Sequence, residues 1–167
     1  CGWVPEQEQN VAMEAGHYLE PFISEQFERR TGIHVDDLGD YTLVQHPDHE
    51  FLRCTPDRVT RVGERPVELK FGSRKWEEGE PPLYYQVQLQ AQMACMERDS
   101  GHLAGFVGGD MAIVEQVRND DFIDAAVAEI RAFWELVQQG GPFPVDASES
   151  TKRTWRAMHP KDNGLTV

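Results

Sequence analysis

The stretch Pro66-Val67-Glu68-Leu69-Lys70-Phe71 constrains this chain most. Side chains on a strand alternate between faces. Val67, Leu69 and Phe71 therefore share one face, fully apolar and directed into a core. Glu68 and Lys70 share the other. Asp57 stands eleven residues before Glu68, after Pro56 and across the tight turn Gly63-Glu64-Arg65. Pairing of residues 59–62 with 67–70 brings Asp57 towards Glu68. Two carboxylates that close repel unless a cation lies between them. Mg²⁺ suits the place, because it prefers oxygen ligands and keeps several waters. A lysine beside it lowers the pKa of an attacking water or stabilises charge developing at phosphorus. The chemistry indicated is metal-dependent phosphodiester hydrolysis. Chance alone can supply so short a pattern, and the competing reading is a turn aspartate plus an exposed Glu/Lys pair.

Around this strand the chain reads as helix, three strands, helix, two strands, helix. Over residues 10–30, Val11, Ala15, Tyr18, Leu19, Phe22, Ile23, Gln26 and Phe27 recur at a mostly apolar 3–4 spacing. Pro21 kinks or divides that helix and Gly32 stops it. Residues 41–45, 51–62 (bent at Pro56) and 66–71 read as a three-stranded meander. Residues 72–82 form a polar loop carrying Trp76. Residues 84–98 are helical, with Tyr84, Val87, Ala91 and Ala94 on the apolar face. Strands 103–107 and 111–117 flank the hairpin signal Gly108-Gly109-Asp110. Residues 121–139 carry a stripe of Phe122, Ala126, Ile130, Phe133, Trp134 and Val137, ended by Gly140-Gly141. The expected class is α/β (α+β), a central mixed β-sheet flanked by helices. One domain spans 1–167, with 147–167 as a C-terminal tail.

The chain has 167 residues, enough for one domain with a core. No apolar run approaches the roughly 18 residues of a membrane span, and no signal-peptide pattern opens the chain. It begins at Cys1 rather than Met, so a missing or processed N-terminal segment is expected. Cys1, Cys54 and Cys95 are too scattered for a zinc or iron–sulfur spacing and suit a reducing cytosol. The net charge of -13 opposes simple nucleic-acid binding, which rests on phosphate neutralisation. Yet residues 53–75 carry seven basic side chains against Asp57, Glu64 and Glu68, a local +4. Lys152, Arg153, Arg156 and Lys161 form a second basic cluster. An acidic exterior with a basic working surface would steer DNA to one place. The plainer reading is an acidic protein with basic turns.

Two helices add to the strand motif. Gly16-His17-Tyr18-Leu19-Glu20-Pro21 places Glu20 one turn after Gly16. The second helix carries Gln86, Gln88, Gln90 and Gln92, with Gln88 and Gln92 one turn apart. Each could be a solvated polar face. Together, Gly16 to Pro21, Pro56-Asp57, Glu68-Leu69-Lys70, and Pro82 through Tyr85, Gln88, Gln90, Gln92 and Met93 resemble the YqaJ-like viral recombinase family. That family belongs to the PD-(D/E)xK nuclease superfamily and includes relatives of lambda exonuclease. Trp76, Gly108-Gly109-Asp110, Arg118-Asn119-Asp120 and Phe133-Trp134 followed by residues 142–146 fit it too. The resemblance covers about residues 10–160.

The resemblance implies a restriction-endonuclease-like core and Mg²⁺-dependent digestion of linear double-stranded DNA from an end, 5′ to 3′, with Mn²⁺ as a substitute ion. The single strand left behind would pass to an annealing protein in phage-type recombination. By motif match, Asp57 and Glu68 ligate metal, the Leu69 carbonyl adds a ligand, and Glu20 joins directly or through water. Lys70 positions and activates the water, and Gln88 orients Lys70 or the nucleophile. Arg58, where the family carries a small residue, and the Arg74/Lys75 loop are the expected DNA contacts, with 5′-phosphorylated ends preferred. Relatives of lambda exonuclease form ring-shaped trimers, so a homotrimer in the cytoplasm of a bacterium or phage-infected cell is the implied setting. Family members usually carry a further segment before the Gly16 helix that helps grip DNA, where this sequence has nine residues. Two other readings stay open: a structure- or sequence-specific endonuclease with the same site, and a non-catalytic module that binds DNA or a recombination protein.

Overall fold

The computed structural model describes residues 11–39, 42–141, 151–153 and 156. The chain divides into two compact units, 1–130 and 131–167. The first holds α1 (Val11–Thr31), seven short strands, α2 (Leu83–Met96) and the first half of α3 (Asp120–Gln139). The second holds the rest of α3, its end at Gly140 and Gly141, and a short helical stretch at 151–153. The expected tail 147–167 lies outside the described residues apart from 151–153 and 156. The second basic cluster is described only at Lys152, Arg153 and Arg156. No helix among the described residues is long and apolar enough to cross a membrane.

The strands are β1 (Val35–Asp36), β2 (Val44–Gln45), β3 (Arg53–Cys54), β4 (Arg58–Thr60), β5 (Pro66–Gly72), β6 (Ser100–Val107) and β7 (Asp110–Val117). Five form one mixed sheet in the order β1-β4-β5-β6-β7. Its parallel pair is β5 with β6, joined through α2. The other neighbours are antiparallel. A mixed sheet flanked by helices is the fold expected.

The meander is not. β2 and β3 pair only with each other, in a separate two-stranded ribbon. The run expected as one strand over 51–62 is two, β3 and β4, separated by Thr55-Pro56-Asp57. Proline has no N–H to donate, so the ladder cannot run through it. β1, only two residues long, gave no periodic signal and takes the edge beside β4.

The alternation of β5 sorts the layers. Val67 and Leu69 pack with Ile23 and Phe27 of α1 and with Ala104. The other face meets α2, where Leu89 and Met93 pack with Leu103, Val107 and Trp76. Phe71, expected in the core, is 37% exposed at the strand's end and stacks on Phe106. A third cluster joins Ala94 and Cys95 of α2 to Leu52 and to Ile123 and Val127 of α3. Cys54 and Cys95 are free thiols within it.

The buried face of α2 is also rotated from the expected one. Leu89, Gln90, Gln92, Met93, Ala94 and Cys95 are buried, while Tyr84 and Val87 are exposed. Gln90 is buried because it is fully used: its Nε2 donates to the Val117 carbonyl and its Oε1 accepts from the Asn119 N–H, both at 2.9 Å. Asn119 in turn caps α3, its Oδ1 accepting from the Phe122 N–H. In α1, Ile23 and Phe27 are fully buried, but Val11 and Tyr18 face solvent. Pro21 lies inside α1 without ending it.

Candidate active site

The break before β4 builds the site. β4 pairs antiparallel with β5, Arg58 opposite Val67. Carried one residue further, that register sets Asp57 opposite Glu68. The ladder stops there, and the Asp57 carboxylate replaces it: Oδ2 accepts the Leu69 N–H at 2.7 Å. The Leu69 N–H, which lies past the last β4 pair, is thereby satisfied.

Glu68 is 1% exposed. A buried carboxylate is costly unless charge-paired and hydrogen-bonded, and Glu68 is both. Its Oε1 accepts from Lys70 Nζ and from Gln88 Nε2, the latter at 2.6 Å. Its Oε2 accepts from Gln92 Nε2. Gln88 and Gln92 stand one turn apart on α2, so both reach the same carboxylate. Lys70 Nζ also lies 4.9 Å from the centre of the Tyr85 ring.

Glu20 comes from α1 and lines, with His17, Asp57 and Arg58, a cleft of about 590 Å³. His17 Nδ1 lies 3.2 Å from Glu20 Oε1. Asp57 registers the charges of Glu68, Lys70 and Glu20. Its carboxyl is pushed up to about 7, first by burial and then by the charge of Glu68, with a smaller push from Glu20. The Leu69 N–H and the Lys70 ammonium pull against that rise.

Glu68, Lys70 and Gln88 are thus bonded together beside Asp57, and Glu20 lines the cleft that Asp57 borders. Gln88 differs from expectation in its partner: it holds Glu68 rather than Lys70. Leu69 contributes its N–H to Asp57. Arg58 borders the cleft, its Nη1 3.2 Å from Asp37 Oδ2. Arg74 and Lys75 stand apart, in a second cleft beyond Lys70. The local excess of +4 is largely cancelled by partners distant in sequence. Arg58 meets Asp37, Arg61 meets Asp36, Arg65 meets Glu115 and Lys75 meets Asp110.

Gln92 and Tyr85 belong to the site without having been assigned to it. The one signal was Gln92's position a turn beyond Gln88. Its Oε1 is buried with no hydrogen-bond partner among the described residues.

The fold is that of a nuclease. It matches the crystal structure of an alkaline exonuclease, LHK-Exo, from Laribacter hongkongensis with a TM-score of 0.67 and 22% identity, covering 92% of this chain and 77% of that one. The same exonuclease in complex with dAMP matches at 0.68 and 20% identity, covering 93% and 77%. No curated protein sequence matches the chain. The family described as YqaJ-like viral recombinase domain matches residues 3–101, and the chain belongs to it. Fold and family together support a nuclease of the recombination type, a class that implies a divalent metal.

The donor set fits such an ion. Asp57 and Glu68 offer oxygens whose mutual repulsion, second to burial in raising the Asp57 carboxyl, a cation would relieve. Among the described residues no three His, Cys, Asp or Glu side chains converge as a cage. Binding by one or two carboxylates plus retained waters is the usual mode of Mg²⁺.

A stability prediction follows from Asp57. Its folded pKa lies above its ordinary 3.8, so folding takes up a proton between those values. The resulting stability is complete below about pH 4 and is lost as pH rises through about 7, a loss of at most about 4 kcal/mol. Without divalent ion, the melting temperature is expected to fall between pH 5 and pH 8. Asp57→Asn should flatten that slope. An equal slope in the variant, measured by thermal denaturation, assigns the effect elsewhere.

Proposed function

We propose that this chain hydrolyses phosphodiester bonds of linear double-stranded DNA from an end, in the 5′ to 3′ direction, with Mg²⁺ as cofactor and Mn²⁺ as substitute. The observation that carries this reading is the convergence of Asp57, Glu68 and Lys70 on one buried spot, with Gln88 bonded to Glu68. Asp57, Glu68 and the Leu69 carbonyl would hold the ion, with Glu20 joining directly or through water. When bound, the ion supplies positive charge at the phosphate and lowers the pKa of a water. Lys70 holds a proton and a positive charge at Nζ beside Glu68, favouring hydroxide over water at the attacking position. Gln88 and Gln92 fix the plane of the Glu68 carboxylate so that its oxygens do not wander. Arg58, part-buried at the cleft wall, is suited to a 5′-phosphate, and Arg74 and Lys75 to the backbone. Such a product fits an annealing protein as partner, in the cytoplasm of a bacterium or phage-infected cell, with the enzyme itself as a homotrimer.

The test is a time course with end-labelled linear duplex and closed-circular DNA, with and without Mg²⁺. Linear duplex is expected to disappear only with Mg²⁺, releasing label first from 5′ ends, while the circle survives. Cutting of the circle would instead make the protein an endonuclease of the same fold. No cleavage under any divalent ion would leave a non-catalytic module.

A further inference from the structure

Beyond Lys70, residues 72–82 and the start of α2 enclose a cleft of about 1110 Å³. One wall is aromatic. Tyr85 carries Lys70 Nζ against its ring, and Tyr84 lies 4.3 Å from Tyr85 between ring centres, tilted by 60°. Tyr84 is 64% exposed. The two rings make a step from the candidate catalytic lysine out to solvent.

The loop that lines the rest of the cleft is fixed by two anchors. Trp76 is buried against β6, and a Cβ on Gly105 would come within 2.7 Å of its ring. Gly108 donates its N–H to the Gly72 carbonyl at 2.9 Å and lies against the Lys75 backbone. The loop is therefore pinned at its start and middle. Its charge is divided: Arg74 and Lys75 come first, then Glu77, Glu78 and Glu80.

We infer that this cleft is a subsite for unpaired nucleotides of a single DNA strand, with Tyr84 as the platform on which a base stacks. The inference rests on the proposed nuclease reading, because continuity with Lys70 through Tyr85 is what makes a nucleic acid the ligand. Every base has a π-face, so an exposed ring binds it without regard to sequence. Arg74 and Lys75 offer charge to the same strand's phosphates. The three glutamates that line the same cleft oppose a second phosphate backbone, which selects one strand over a duplex.

The test needs no cleavage. A single-stranded oligonucleotide of about ten residues containing 2-aminopurine is titrated in EDTA, within the usual footprint of such sites. Binding with quenched 2-aminopurine fluorescence is expected. Tyr84→Ala should weaken binding about tenfold and abolish quenching, while Tyr84→Trp retains both. A blunt duplex should compete at least tenfold less well. The inference is overturned if Tyr84→Ala, with an unchanged melting temperature, binds and quenches like the parent. Digestion of linear duplex by a protein that leaves the single strand unquenched sinks the subsite and spares the nuclease. Quenching without digestion under any divalent ion sinks the nuclease and spares the subsite.

Discussion

Lys70→Ala is expected to digest linear duplex DNA about a thousandfold more slowly than the parent protein, on the scale seen when one preorganised charge-stabilising group is removed. Among the described residues Lys70 is the one cation on the Glu68 carboxylate, and its neighbours there are neutral amides. No other side-chain cation among the described residues bonds to that carboxylate, so none replaces the charge that Lys70 sets beside the attacking water. The fold should survive, because Glu68 keeps both glutamine donors. A stability loss of about 1–3 kcal/mol is expected from leaving a buried carboxylate without its counter-charge. Activity and thermal melting measured on the same preparation separate the two effects. A well-folded Lys70→Ala protein with parental activity would remove the lysine from the mechanism.

Glu68→Gln probes the other end of the same contact. Glutamine keeps the volume but removes the charge, and its amide nitrogen must face a donor. Lys70 Nζ and Gln88 Nε2 meet one oxygen and Gln92 Nε2 meets the other. Gln92 can relieve the clash by turning its amide, since its Oε1 has no partner to lose among the described residues. Destabilisation of about 1–2 kcal/mol is therefore expected. Glu68→Ala should cost more, because three donors then face a cavity. Activity is expected to fall at least a thousandfold in both, because amide rotation restores a hydrogen bond and not a carboxylate ligand. Recovery of activity in Glu68→Gln would mean that Glu68 orders the site without taking part in the reaction.

How much of this was legible in the sequence depended on whether a residue answered to a local rule. The two faces of β5 followed from period-two alternation, and Val67, Leu69 and Glu68 lie as that period dictates. The approach of Asp57 to Glu68 followed from counting across the turn at Gly63, whose φ of +86° suits glycine there. Phe71 escaped the rule because alternation gives direction and not depth, and at the end of β5 the core has run out. The face of α2 was misread for a related reason. Gln90 and Gln92 look like solvent-facing residues until their partners are known, and those partners, Val117, Asn119 and Glu68, lie on other elements. The basic segment misled in the same manner. Its charge was countable, while Asp36, Asp37, Glu115 and Asp110, which offset it, are distant in sequence. Family resemblance brought Glu20 and Gln88 to the site, which spacing alone could not do.

The contact between Trp76 and Gly105 ties together two stretches of chain that carry no motif in common. The indole occupies the space a side chain at 105 would need. Any enlargement at 105 must be matched by a smaller ring at 76, and neither position can drift alone. The wall of a cleft several residues away is thus governed by an atom that glycine omits. Loop grafting or shuffling among similar proteins would have to carry both positions together to keep that cleft in shape.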